Sequence, residues 1–135
     1  MINFSKIVDL GRAMYNPETH PLRCFHLSVI LSKNRLVSAG INSPKTHSLN
    51  QRNPKFGHDG QEIMKGSCSE FIAINRLKRI SNIDFNKCVM VNIRINKLGQ
   101  LANSCPCISC KSLLAYFSFK SIYFSDSDGL FQQYY

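Results

Sequence analysis

The sequence predicts an α/β domain in which a sheet carries helices on its faces. Two segments, "CFHLSVILS" (24–32) and "CVMVNIRI" (88–95), alternate apolar residues with a period of two, as strands do. Two others, 4–15 and 106–117, carry apolar stripes at helical spacing. The element order reads α-β-β-α-β-α-β. Strand and helix alternate through its second half, which predicts parallel strands joined by helical crossovers.

In the first helix Ile7, Leu10 and Met14 share a face. "YNPETHP" (15–21) ends it with two prolines. In the first strand Phe25, Leu27, Val29 and Leu31 point one way, His26 lies on the opposite face, and Cys24 is read as core. "KN" turns tightly into "RLVSAGIN" (35–42), which completes a hairpin. Residues 43–66 are rich in Ser, Asn, Pro, Gly and Lys and read as a long loop, a feature that in compact domains is often functional. A helix follows from Ser69 to Ile80. In 88–95 Val89, Val91, Ile93 and Ile95 share one face, and Cys88 is read as core. "NKLGQ" turns, and a helix opens at Pro106 with Leu113, Leu114 and Phe117 as its stripe. "SIYFS" (121–125) is a strand, "DSDG" a turn, and "LFQQYY" an aromatic tail that packs on the domain or at an oligomer interface.

The chain has 135 residues, the size of one domain with its own core, and is read as a single domain over 1–135. No stretch approaches the roughly 20 apolar residues of a membrane span, so no membrane partner is expected. "MINFSKIVDLGRAMY" is amphipathic and lacks the apolar run of a signal peptide. A cytoplasmic setting is therefore expected. There, six cysteines point to metal or catalysis more than to disulfides. Seventeen Lys and Arg against eight Asp and Glu give a charge of +9. That excess favours an anionic partner, a nucleotide, a nucleic acid or a membrane surface, or is simply a basic surface.

The chemistry-bearing residues sit at two helix starts. Behind Pro106, Cys107 and Cys110 fall at i and i+3, on one helical face. That spacing suits a tetrahedral metal, and thiolates suit zinc. Cys68 stands at the mouth of the other helix, with Glu70 in its first turn. If the two starts meet, Cys68, Cys107 and Cys110 hold one Zn2+ and leave a position for water, the pattern of a catalytic centre. Glu70 is then a proton shuttle beside it. The plainer alternatives are buried thiols and a first-turn glutamate favoured by the helix dipole.

This pairing, C-x-E followed by P-C-x-x-C, resembles the zinc-dependent cytidine and deoxycytidylate deaminase superfamily. The resemblance covers most of the chain. It implies a three-layer α/β/α cytidine deaminase-like fold, with a mixed sheet built from an N-terminal β-hairpin and a following β-α-β-α-β. "GIN" (40–42) is similar to the family's G-x-N, which implies that Asn42 contacts the sugar or base. "SIYFSDSDG" is similar to the segment after the second zinc helix in deoxycytidylate deaminase-like members. The implied reaction is hydrolytic deamination of a cytosine base, with Glu70 catalytic and Zn2+ as cofactor. The family also implies a homo-oligomer, and a role for the Cys105 carbonyl in holding the amino group.

The sequence departs from the family at three places. The first ligand is Cys68 where most nucleotide-acting and polynucleotide-acting members have His, which adds negative charge to the centre. Three-cysteine nucleoside deaminases offset that charge with an arginine after the glutamate, and here Phe71 stands there. Arg76, Lys111 and His47 are the candidates to replace it. After Asn42, "SPKTH" stands where nucleoside enzymes place a ribose-gripping glutamate. Lys45, Thr46 and His47 suit a phosphate, so the expected substrate is a cytosine nucleotide such as dCMP, contacted by Asn42 and His47. Single-stranded DNA or RNA is the alternative substrate. Finally, Cys105 is either a loop residue or a fourth thiolate that closes the site, which would make the chain a non-catalytic zinc module.

Overall fold

The structure, a computed structural model, describes residues 2–22, 24–44, 68–80, 83–106 and 108–134. It is a mixed α/β arrangement. Helix α1 (Phe4–Met14) precedes a hairpin of β1 (Phe25–Ser32) and β2 (Arg35–Ile41). Helix α2 (Ser69–Ile80) and a 3-10 turn (Phe85–Lys87) lead into β3 (Cys88–Ile95) and the short β4 (Leu101–Ala102). Helix α3 (Ile108–Phe117), β5 (Ser121–Ser125) and β6 (Phe131–Gln133) complete it. The six-stranded sheet runs β2-β1-β3-β5-β6, with β4 paired to the end of β3. Strands β3 and β5 are parallel, and the other pairs are antiparallel.

The expected alternation is realised in both central strands. Phe25, Leu27, Val29 and Leu31 join Val91, Ile93 and Ile95 in one buried cluster with Ile7 of α1. Ile30, Cys88, Met90 and Ile122 face the other way, into a second cluster with Phe71, Ile74 and Leu77 of α2 and Leu113 and Leu114 of α3. The sheet is therefore the middle layer, with α1 on one face and α2 and α3 on the other. Burial on both faces explains why these strands are nearly continuous apolar runs.

The hairpin turn is Lys33–Asn34, with φ of 52° and 62°. Positive φ at both central residues is the geometry that matches the twist of two antiparallel strands. The register slips at Val37, since Ile30 pairs with Ser38 and Leu31 with Leu36. That bulge falls just before the segment on which α2 rests.

Four expectations need adjustment. Met14 is 42% exposed rather than part of the α1 stripe. The buried face is Ile7, Val8 and Gly11, because the missing side chain at Gly11 lets the helix approach Ile93 and Ile95. Helix α3 begins at Ile108, not at Pro106. The chain is still tied to the sheet at Ser104, whose N–H donates to the Ser125 carbonyl at 2.8 Å, so it has no slack to start coiling there. The two-residue β4 was hidden in a stretch read as turn and loop. Finally, "FQQ" is a strand rather than a tail, with Phe131 stacked on Phe4 at 4.4 Å between ring centres. Asp126 caps the intervening turn, accepting the N–H groups of Asp128 and Leu130 at 2.9 and 3.0 Å. Among the described residues no helix is long and apolar enough to cross a membrane.

Candidate functional site

The start of α2 lies directly over the sheet. Cys68 is the residue before its first turn, and its carbonyl accepts the Ile72 N–H at 3.3 Å, the first bond of the helix. A helix start presents unpaired N–H groups and a positive dipole end, surroundings that favour a thiolate. The helix is pinned to β2 along its length. The Ser38 hydroxyl donates to the Ala73 carbonyl at 2.7 Å, and Arg76 Nη1 donates to the Ala39 carbonyl at 2.9 Å. At its first turn the α2 backbone passes over Gly40 so closely that a Cβ there would stand 2.5 Å from the Ser69 carbonyl oxygen.

Glu70 is 5% exposed. A glutamate placed only to suit the helix dipole gains that benefit while staying in water. Burying a carboxylate is costly unless neighbours satisfy it. Here the Ser69 hydroxyl donates to Glu70 Oε1 at 3.0 Å, and Ser69 is itself in contact with Ser28 of β1, the two hydroxyl oxygens 2.7 Å apart. Ser28 Oγ also lies 2.7 Å from Asn92 Oδ1 on β3. These polar residues were not singled out in the sequence. The available signal was a Ser and an Asn in mid-strand, each flanked on both sides by apolar residues.

Cys110 is 1% exposed, in the first turn of α3, within the cluster that joins α2 and α3. Cys68 packs against the same cluster. Two of the expected zinc ligands thus touch one apolar cluster, Cys110 inside it and Cys68 at its edge, while Cys107 lies outside the described residues. Among the described residues no three His, Cys, Asp or Glu side chains gather as a metal-binding group. Of the three thiols in the donor set expected for zinc, Cys68 and Cys110 are among the described residues, and thiolates are a ligand type that suits zinc.

Cys105 is exposed, on the loop ahead of α3, with its N–H donated to Asn103 Oδ1 at 3.0 Å. Cys88 is buried, and burial together with the nearby Asp84 charge pushes its thiol up from the usual range. Cys24 differs from the expected core thiol. It is half-buried, and Arg94 Nη2 donates to its Sγ at 2.8 Å.

Asn42 closes the open end of the hairpin. Its Oδ1 accepts the His26 N–H at 3.0 Å and its Nδ2 donates to the Cys24 carbonyl at 2.8 Å. It is therefore a tie between the end of β2 and the chain at the start of β1. His47, with Lys45 and Thr46, lies outside the described residues. Of the cations considered as compensation for a third thiolate, Arg76 is engaged with β2, and the Lys111 ammonium lies 5.4 Å from the centre of the Tyr134 ring. The chain matches no protein-family model and no curated protein.

Proposed function

We propose that the chain is a zinc-dependent hydrolytic deaminase that converts the cytosine of a nucleotide such as dCMP to uracil. The carrying observation is Glu70, buried at the head of α2, two residues after Cys68, which packs against the cluster that holds Cys110. Cys68, Cys107 and Cys110 would hold Zn2+, which when bound supplies Lewis-acid activation of a water molecule. Glu70, with Oε1 held by Ser69, would accept a proton from the attacking water as the water oxygen bonds to C4 of the ring. The proton passes to N3. A second proton, from the new C4 hydroxyl, passes through Glu70 to the exocyclic nitrogen. The C4–N bond breaks, ammonia leaves, and the carbonyl of uracil forms. Asn42 and His47 are the proposed substrate contacts, and "PKTH" supports a phosphate-bearing substrate. A homo-oligomer in a reducing cytoplasm belongs to the same reading, on the resemblance of the motifs.

A second substrate class is favoured by one surface. Tyr116, 59% exposed, touches the Phe117 ring, and the Lys78 ammonium lies 5.4 Å from the centre of that ring. Exposed aromatics beside cations are what single-stranded DNA or RNA stacks on. The test is ammonia release by zinc-loaded protein from cytidine, dCMP, dCTP, adenosine, guanine and single-stranded oligonucleotides. Turnover of dCMP or dCTP with little on cytidine is expected. Turnover of oligonucleotides alone, falling steeply with salt, would transfer the proposal to the polymer. Zinc binding without turnover of any substrate would instead favour a non-catalytic module.

A further inference from the structure

Beneath Glu70 a line of buried polar atoms runs from the helix into the sheet. Asn92 Oδ1 to Ser28 Oγ is 2.7 Å, Ser28 Oγ to Ser69 Oγ is 2.7 Å, and Ser69 Oγ to Glu70 Oε1 is 3.0 Å. The four residues are 2%, 0%, 1% and 5% exposed, in that order. Ser28 and Asn92 stand directly opposite each other in the β1–β3 register, and the Ser104 hydroxyl donates to the Asn92 carbonyl at 2.9 Å. Apolar side chains would fill these inward positions at lower cost, so the polar set calls for a reason.

We propose that Asn92, Ser28 and Ser69 are positioning residues for Glu70, with the Asn92 carboxamide setting the direction of the chain by donating through Nδ2. The inference rests on the reading of Glu70 as the proton-transferring group. Its core is a proton count. The line has three links, and the two hydroxyls bring one proton each. With Oδ1 of Asn92 at one end and, at the other, Glu70 as the carboxylate that the proposed reaction requires, both ends only accept. Both hydroxyl protons then point outwards, and the 2.7 Å link between the serines holds none. In that same orientation Asn92 Nδ2 is buried with no partner. A half-turn of the amide end for end answers both problems. Nδ2 then donates to Ser28, Ser28 to Ser69, and Ser69 to Glu70 Oε1, one proton per link. The atom left without a partner becomes a carbonyl oxygen, which tolerates that better than an N–H. Oε1 of Glu70 is thus held in place by a line of donors whose far end is fixed by two strands.

Two readouts test this on the zinc-loaded full chain. Ser69→Ala should lower kcat about 10- to 100-fold, with KM and zinc content unchanged, and Ser69→Thr, which keeps the hydroxyl, should recover most of it. The second readout needs no substrate. In 15N–1H spectra Glu70→Gln should shift the Asn92 side-chain NH2 resonances, and Ser28→Ala should abolish that shift. An unchanged kcat in Ser69→Ala would overturn the positioning role. Asn92 resonances that ignore Glu70→Gln would overturn the chain itself. If the wild type turned over no base, the deaminase reading would fall, and the resonances would still decide the chain.

Discussion

Replacing Gly40 with alanine is expected to cost upwards of about 3 kcal/mol and to dislodge the head of α2. The added Cβ would lie 2.5 Å from the Ser69 carbonyl oxygen, 2.6 Å from the Ala73 nitrogen and 2.9 Å from Ile72 Cβ. Two of these are backbone atoms of one helix, so no side chain can swing away, and the whole helix start must lift. A loss of that size is a large part of the roughly 5–15 kcal/mol that holds a domain together. The comparison is Gly99→Ala. Gly99 has φ of 81° and nothing within 4 Å of its missing Cβ, so only backbone strain of about 1–2 kcal/mol is added. A urea midpoint that falls far more for Gly40→Ala than for Gly99→Ala, with zinc lost in the former, is the expected result. Equal midpoints would mean that α2 does not rest on β2 in this way.

Glu70→Gln is expected to leave fold and zinc content intact while lowering kcat by about 100- to 10,000-fold, the range that positioned proton transfer contributes. Glutamine has nearly the volume of glutamate and carries no charge to bury, so melting temperature should hold or rise. It also cannot take a proton from water. The measurement is ammonia release alongside metal content and thermal melting, on the same preparation. A fully active Glu70→Gln enzyme would remove Glu70 from the mechanism. A variant that is inactive because it has unfolded would show it in the melt.

The two central strands were legible because burial on both faces leaves short apolar runs bounded by turn residues. Helix α2 and the Lys33–Asn34 turn were readable from local signals of their own. Met14 was misread because the stripe that matters contains a glycine, and a residue without a side chain leaves no mark in an apolar pattern. The start of α3 was placed early because Pro106 permits a helix there, whereas the Ser104–Ser125 tie that delays it joins residues distant in sequence. The same limit applies to the site. Cys68, Glu70 and Cys110 are candidates that local spacing alone can offer. The support beneath Glu70 could not be read from it, because Ser28, Ser69 and Asn92 become neighbours only when β1, α2 and β3 assemble.

The central claim is an open zinc centre made by Cys68, Cys107 and Cys110 beside Glu70. Its most direct test is the zinc K-edge absorption spectrum of the zinc-loaded wild-type protein. Three sulfur neighbours and one oxygen or nitrogen neighbour is the predicted result, with a sulfur lost in Cys110→Ala and none lost in Cys105→Ala. Four sulfur neighbours, or a protein that retains no zinc, would contradict it.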